Sequence, residues 1–318
     1  MRRSNHDRVL VTGATGFIGR HAVPILLERG YNVYAVSRTQ PPAWETVPKN
    51  LVFHFCDLLS DKGVNELLPR IQPTHLLHFA WDVVPGKFWT ALDNLAWIAA
   101  SLRLFQRFTE VGGQRAVFAG TCAEYDWSAE YLSEKTTPLV PRSLYGVTKN
   151  SLRLCVEKAA GQLGLSMAWG RIFFLYGPHE QAKRLIPSVI TSLISRKPVA
   201  CTHGRQRRDF MHVSDVARAF VDLMESTWEG PINIASGEAV MIKTVVDLIG
   251  EIVGHHDLIE FGGLETPSDE PACLSADVEI LRKRIGFVPR YNLETGLQNT
   301  IEWWNGCLRS RPGKHPMG

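Results

Sequence analysis

The stretch Thr12-Gly13-Ala14-Thr15-Gly16-Phe17-Ile18-Gly19 constrains this chain more than any other. It follows an apolar β-type run at residues 8–12 (RVLVT) and precedes a helical period in Ile18, Ala22, Ile25 and Leu26 that stops at Gly30. Strand, tight turn and helix are therefore expected in that order. Three glycines at G-x-x-G-x-x-G spacing let a backbone turn sharply and approach a pyrophosphate, while the positive end of the helix dipole meets its charge. Further strand-like runs stand at 32–36 (NVYAV), 51–56 (LVFHFC), 74–80 (THLLHFA) and 115–120 (RAVFAG), with helical stretches between most of them. Such alternation predicts an α/β protein built on a doubly wound parallel sheet, a Rossmann fold.

The chain has 318 residues, which suits two lobes with a cleft between them. The expected division is a dinucleotide-binding domain at 1–177 with a return segment near 211–238, and a smaller α/β substrate lobe from 178–210 and 239–308. Residues 309–318 read as a flexible tail. Helical stripes in the second half run through Val245 to Val253 and Leu293 to Trp304. Two long helices come earlier, one placing Leu95, Ile98, Leu102 and Phe105 on a face, the other Leu152, Val156, Ala159 and Leu163. Trp97, Leu104 and Phe108 widen the first stripe. These helices, near 91–111 and 144–163, either pack wholly on the sheet or also form a homodimer contact.

Composition narrows the partners. With 45% hydrophobic and 21% charged residues the chain reads as an ordinary globular protein. Its net charge of +3, from 35 basic and 32 acidic residues, leaves no footprint for nucleic acid. The basic start Met1-Arg2-Arg3 leads to no apolar signal-peptide core, and no run of 18 apolar residues suggests a membrane span, so a cytoplasmic location is expected. Six cysteines lie far apart and read as free thiols; eleven histidines show no ligand spacing, and no metal is expected.

Nicotinamide cofactors differ at the adenosine ribose, where an acidic residue after the second strand takes the 2′-hydroxyl and a cation accommodates a 2′-phosphate. Here that strand ends Val36-Ser37-Arg38. With no carboxylate and a guanidinium that forks onto phosphate, NADP(H) is expected over NAD(H).

Tyr145-Gly146-Val147-Thr148-Lys149 places a phenol and an ammonium at i and i+4 on one helix face. A nearby positive charge favours phenolate, which equips Tyr145 to exchange a proton with a carbinol oxygen. Thr121, at the end of the 115–120 strand, is placed to orient that oxygen at the sheet edge where ligands bind.

Together these residues resemble the extended short-chain dehydrogenase/reductases, the NAD-dependent epimerase/dehydratase family. The likeness takes in Cys56-Asp57-Leu58, His78-Phe79-Ala80, Thr121 to Tyr125, Arg171 with Tyr176-Gly177-Pro178, Arg208-Asp209-Phe210 and Asn233 to Gly237. It implies Tyr145 as acid/base, Lys149 as the cofactor-ribose residue and Thr121 as the substrate-orienting hydroxyl. It adds Asp57, Leu58, Phe79 and Ala80 to the cofactor site, alongside Gly13, Thr15, Gly16, Phe17, Ile18, Gly19, Ser37 and Arg38. Arg208 matches an arginine that holds the diphosphate of sugar nucleotides.

Departures from the family pattern matter as well. The Asp-Glu pair that eliminates water in sugar dehydratases reads Cys122-Ala123, so dehydration is not expected. Phe174 and Thr266 replace an asparagine and an arginine that commonly touch the nucleotide diphosphate. Trp81 and its loop through Trp89, with Glu124 to Trp127, shape the substrate site or pack over the cofactor. Expected substrate residues are thus Trp81, Thr121, Cys122, Glu124, Phe174 and Arg208. The leading expectation is NADPH-dependent reduction of a keto group, at C4 of a nucleotide-linked deoxysugar. The alternatives are a redox-neutral NAD-dependent sugar-nucleotide 4-epimerase, a reductase of a non-nucleotide carbonyl and a non-catalytic NADP sensor.

Overall fold

Short, doubly buried strands need helices on both faces, and the chain supplies them in alternation. The computed structural model describes residues 7–38 and 47–310. In order come β1 (Arg8–Thr12), α1 (Gly19–Glu28), β2 (Asn32–Ser37), β3 (Leu51–Phe55), α2 (Asp61–Ile71), β4 (His75–His78), α3 (Asp93–Glu110) and β5 (Arg115–Thr121). There follow β6 (Tyr131–Leu132), α4 (Leu144–Leu163), β7 (Ser166–Ile172), β8 (Phe174–Tyr176), α5 (Leu185–Ile194), β9 (Val199–Cys201), β10 (Arg207–His212), α6 (Val213–Glu225) and β11 (Gly230–Ile234). The chain closes with β12 (Ala239–Met241), α7 (Ile242–Val253), β13 (Ile259–Phe261), β14 (Cys273–Ala276), α8 (Glu279–Lys283) and α9 (Leu293–Ser310).

Seven parallel strands pair in the order β11-β7-β5-β4-β1-β2-β3. Succession therefore reverses at β1, and the crevice between β1 and β4 is where a doubly wound sheet binds ligands. Ala22, Leu26, Val216 and Phe220 of α1 and α6 cover one face of the sheet. Leu68, Phe105, Phe108, Leu152 and Val156 of α2, α3 and α4 cover the other.

Two helix faces differ from expectation. On α3 the core-facing residues are Trp97, Ala100, Leu104, Phe105 and Phe108, while Leu95 is 52% exposed. The helix meets both α2 and α4, so the broad aromatic side turns inward and the Leu95 edge turns out. On α4, Leu152 and Val156 are buried but Leu163, beside the left-handed cap at Gly164, is 62% exposed.

A second sheet pairs β12-β10-β14-β6, with β8 beside β10, and a separate core packs α5, α7 and α9 around Val189, Ile190, Val245, Ile249 and Leu297. After β10 the chain goes back through α6 and β11 to the edge of the large sheet. Arg309 and Ser310 continue α9 rather than starting a tail; the rest of that stretch, like residues 1–3, lies outside the described residues. Among the described residues no helix is long and apolar enough to cross a membrane.

Gly13 takes φ +67°, a left-handed conformation that glycine adopts without penalty, and a Cβ on it would meet the Ala80 nitrogen at 2.9 Å. Gly19 is tighter: a Cβ there would stand 2.2 Å from the Gly13 carbonyl oxygen and 2.7 Å from the Ala14 Cα. Both obstacles are backbone, so the turn itself must open. Gly19→Ala is expected to cost about 1–3 kcal/mol, read as a lower urea midpoint; an unchanged midpoint would show that the turn adapts freely.

Candidate active site

The glycine turn is closed by Gly16 N–H donating to the Gly13 carbonyl at 2.9 Å, and Ala14 N–H reaches Val36 O of the neighbouring strand at 3.3 Å. Beside it the Thr15 and Ser37 hydroxyls share a 2.6 Å hydrogen bond. A cavity of about 190 Å³ opens here, lined by the predicted Gly13, Thr15, Gly16, Ser37, Arg38, Leu58, Ala80 and Trp81 and by the unpredicted Val36, Cys56 and Trp97. Hydroxyls and glycine backbone on one side, and leucine, alanine and indole on the other, suit phosphates joined to a flat base. Arg38 stands exposed at the rim, its guanidinium carbon 5.6 Å from the Trp97 ring centroid.

Ile18, Gly19, Phe79, Asp57 and Phe17, also expected at the cofactor, do not line this cavity directly. Ile18 packs into the core under α1, and Gly19 is buried behind the turn. Phe79 puts its ring edge-on to Phe220 at 5.1 Å. Asp57 is exposed, its carboxylate accepting from Leu59 N–H at 3.1 Å. Phe17 is half-buried and also off the lining.

The same sheet edge carries the reactive side chains. Ser143 caps α4 by accepting from Gly146 N–H at 3.1 Å. A Cβ on Gly146 would lie 2.3 Å from the Ala123 carbonyl oxygen, so only glycine lets the first turn of α4 sit against residues 122–124. That contact brings the Tyr145 phenol next to the Thr121 side chain, which favours the phenolate. Thr121, at the end of β5, accepts in turn from Ala123 N–H at 3.2 Å. One helical turn on, the buried Lys149 ammonium donates to Ala119 O at 2.9 Å and lies 3.8 Å from the centre of the Trp81 ring.

Burial dominates the electrostatics. It pushes the Lys149 ammonium down to about 7, against the opposing pull of Glu124. It holds the Tyr145 phenol above its ordinary range, opposed by the neighbouring Thr121 side chain and the charge of Arg184. The expected lowering of Tyr145 by Lys149 is therefore not found in this structure. Lys149 faces Ala119 and Trp81, and the cation acting on the phenol is Arg184.

Glu124 is a further correction. It is wholly buried and cannot meet a substrate. The 3₁₀ turn at Cys122–Glu124 folds its carboxylate back, so Oε1 accepts from Thr121 N–H and Trp169 Nε1–H, each at 2.9 Å. Oε2 accepts from Arg171 Nε–H at 2.8 Å. Cys122 is also buried, and burial pushes its thiol up to about 12, so it stays protonated. Arg208, 2% exposed, pairs with Glu270 and has its guanidinium carbon 5.4 Å from the Phe174 ring centroid. Phe174, in the family's asparagine position, packs on Phe210.

Aromatic residues roof the phenol. Phe88 meets the Tyr145 ring edge-on at 4.9 Å, Trp89 at 5.8 Å, and Trp89 O accepts from Tyr145 N–H at 3.1 Å. Arg184 ties this loop down by donating to Val83 O at 3.2 Å, its guanidinium carbon 5.3 Å from the Phe88 ring centroid. Its charge also faces Glu180, whose carboxyl burial pushes up to about 8. Neither Arg184 nor Glu180 stood out in the sequence, because a lone arginine before an apolar helix carries no local signal.

A glycine turn at the switch point of a doubly wound sheet, with a Thr-Tyr-Lys set on the same edge, defines a nicotinamide-dependent site of the short-chain dehydrogenase/reductase kind. The family model of the NAD dependent epimerase/dehydratase family matches residues 9–235, and the chain belongs to that family. It is 26% identical over 320 residues to a UDP-glucose 4-epimerase of Corynebacterium glutamicum, covering 93% of this chain and 94% of that one. Among solved structures it resembles MoeE5 in complex with UDP-glucuronic acid and NAD, with TM-score 0.82 and 31% identity over 95% of this chain and all of that one. A UDP-N-acetylglucosamine 4-epimerase from Methanobrevibacter ruminantium superposes with TM-score 0.85 at 25% identity, over 95% and 99% of the two chains.

Proposed function

We propose that this protein inverts a secondary alcohol, C4 of a nucleotide-linked hexose, without net oxidation. The observation that carries this reading is the Tyr145 phenol set next to the Thr121 side chain, with Lys149 one turn away, beside the glycine-lined cavity. The positions that would perform elimination hold a protonated thiol and an alanine, Cys122 and Ala123. Relatives named as 4-epimerases support the same choice. This displaces the keto-reduction that the sequence led us to expect.

Gly13, Thr15, Gly16, Ser37, Arg38, Leu58 and Ala80 would hold the dinucleotide, and Lys149 its nicotinamide ribose. A nicotinamide bound there would supply the reversible hydride acceptor that inversion at the sugar carbon needs. Tyr145 takes the hydroxyl proton and returns it, while the Thr121 hydroxyl orients the sugar oxygen. Arg184 is the cation that stabilises the phenolate. Arg208 would exchange Glu270, which is 34% exposed, for the substrate diphosphate. Leu95 on α3, with Val147 and Leu154 on α4, remains exposed and would form the homodimer face.

Ser37 and Arg38 favour a second reading, an NADPH-dependent 4-ketoreductase, because among the described residues the lining of the cavity includes no carboxylate. One experiment separates the two. UDP-glucose, UDP-N-acetylglucosamine and UDP-glucuronic acid are incubated with the protein and NAD+, and a nucleotide-linked 4-ketosugar with NADPH. Epimeric product with no net change in nicotinamide absorbance is expected. Stoichiometric loss of NADPH would establish the reductase instead, and inertness in every arm would refute both. For the cofactor, Arg38→Ala should weaken NADPH binding about tenfold or more while sparing NADH. Equal effects on both would remove Arg38 from 2′-phosphate recognition.

A further inference from the structure

The family position after His78-Phe79-Ala80 is filled here by a tryptophan, Trp81, that reaches the reactive lysine. Its indole is rigidly mounted. Nε1–H donates to Asn94 Oδ1 at 2.8 Å, and the buried Asn94 amide donates to Phe88 O and Ala91 O at 2.7 and 2.9 Å. The ring also stacks on Trp97, with centroids 6.1 Å apart and planes 27° from parallel. Both indoles line the glycine-loop cavity. Trp81 thus offers Lys149 a fixed π face on the wall of the cofactor site, while Ala119 O takes one of the ammonium protons at 2.9 Å.

We propose that Trp81 is a positioning residue for Lys149, its indole face holding the ammonium charged and aimed along the cofactor cavity. The inference rests on the role given to Lys149 above. A cation on a desolvated indole face is stabilised more than at an exposed site. The ammonium needs that support, because burial works against its charge. Of the other groups facing it, Glu124 favours the charge but is committed to Arg171, Trp169 and the Thr121 backbone. His78 is wholly buried and stays neutral near pH 7, and the Tyr145 ring centroid is 6.0 Å away.

The sign follows directly. Charged Lys149 is present below its pKa and lost as pH rises through it, so removing the π face should move that loss to lower pH. In Trp81→Leu the alkaline limb of kcat/KM should fall about one pH unit earlier, and in Trp81→Phe by less, since a smaller π face remains. Losses that are equal in both variants and independent of pH would mean plain packing and overturn the proposal. A second measurement needs no turnover. In the full, cofactor-free chain, the fluorescence difference between wild type and Trp81→Phe should titrate once, at or above about pH 7, and the titration should vanish in a Lys149→Met background. A flat difference, or one that survives Lys149→Met, overturns the proposal. An inactive wild type would count against the proposed function alone, and the fluorescence arm would still decide the role of Trp81.

Discussion

Tyr145→Phe should leave a folded protein that still binds dinucleotide but turns over about 10³-fold more slowly. Only the phenol oxygen is removed. The ring keeps its contacts with Phe88, Trp89 and Trp81, whose centroids lie 4.9, 5.8 and 6.4 Å from its own. Thr121 still accepts from Ala123 N–H. Stability should therefore change by no more than about 1 kcal/mol. Steady-state kinetics on a substrate found in the assay above, with thermal unfolding as the control, test this. Near-normal kcat would take Tyr145 out of the proton path.

Glu124→Ala should show the second large effect, on stability. Glu124 and Arg171 are 0% and 1% exposed, and their contact is part of a chain of hydrogen bonds across the molecule. Arg171 donates to the Tyr125 hydroxyl at 3.0 Å, which donates to Asn233 Oδ1 at 2.8 Å. Asn233 in turn donates to Leu132 O and Asp277 O at 2.9 and 3.0 Å, joining the large sheet to the segments that carry β6 and α8. Removing the carboxylate strands a buried guanidinium, which costs about 3–5 kcal/mol. Urea unfolding should show the loss, and Glu124→Leu combined with Arg171→Met should recover most of it. A loss under about 1 kcal/mol for the single variant would refute this account of the pair. Activity should fall as well, because Glu124 fixes the Thr121 backbone at 2.9 Å.

The sequence made legible those parts of the site whose geometry is local. A strand, a glycine turn and a helix are contiguous, and the Tyr145–Lys149 spacing is a property of one helix. Glu124 was read as a substrate contact because it follows Thr121 closely in the chain. Its actual partner, Arg171, is 47 residues away, and no local pattern reports such a pairing. The direction of Lys149 was hidden for a similar reason. Adjacency to Tyr145 on α4 says nothing about an indole supplied from the end of β4. On α3 the apolar residues surround too much of the helix for periodicity alone to select the buried side. Arg184 acts on Tyr145 only because the 82–89 loop and the start of α5 meet above it.

The late return of α6 and β11 to the large sheet bears on how the chain is made. Until residue 234 has been synthesised, β7 is an open sheet edge and the apolar side of α1 lacks α6. Such an edge is an invitation to pair with another chain. Arg29, whose guanidinium nitrogens reach Asp222 and Glu225 at 2.6 and 2.7 Å, then has neither carboxylate to meet. The large sheet is thus contiguous in space but not along the polypeptide, and a fragment ending near residue 177 would leave it an aggregation-prone torso.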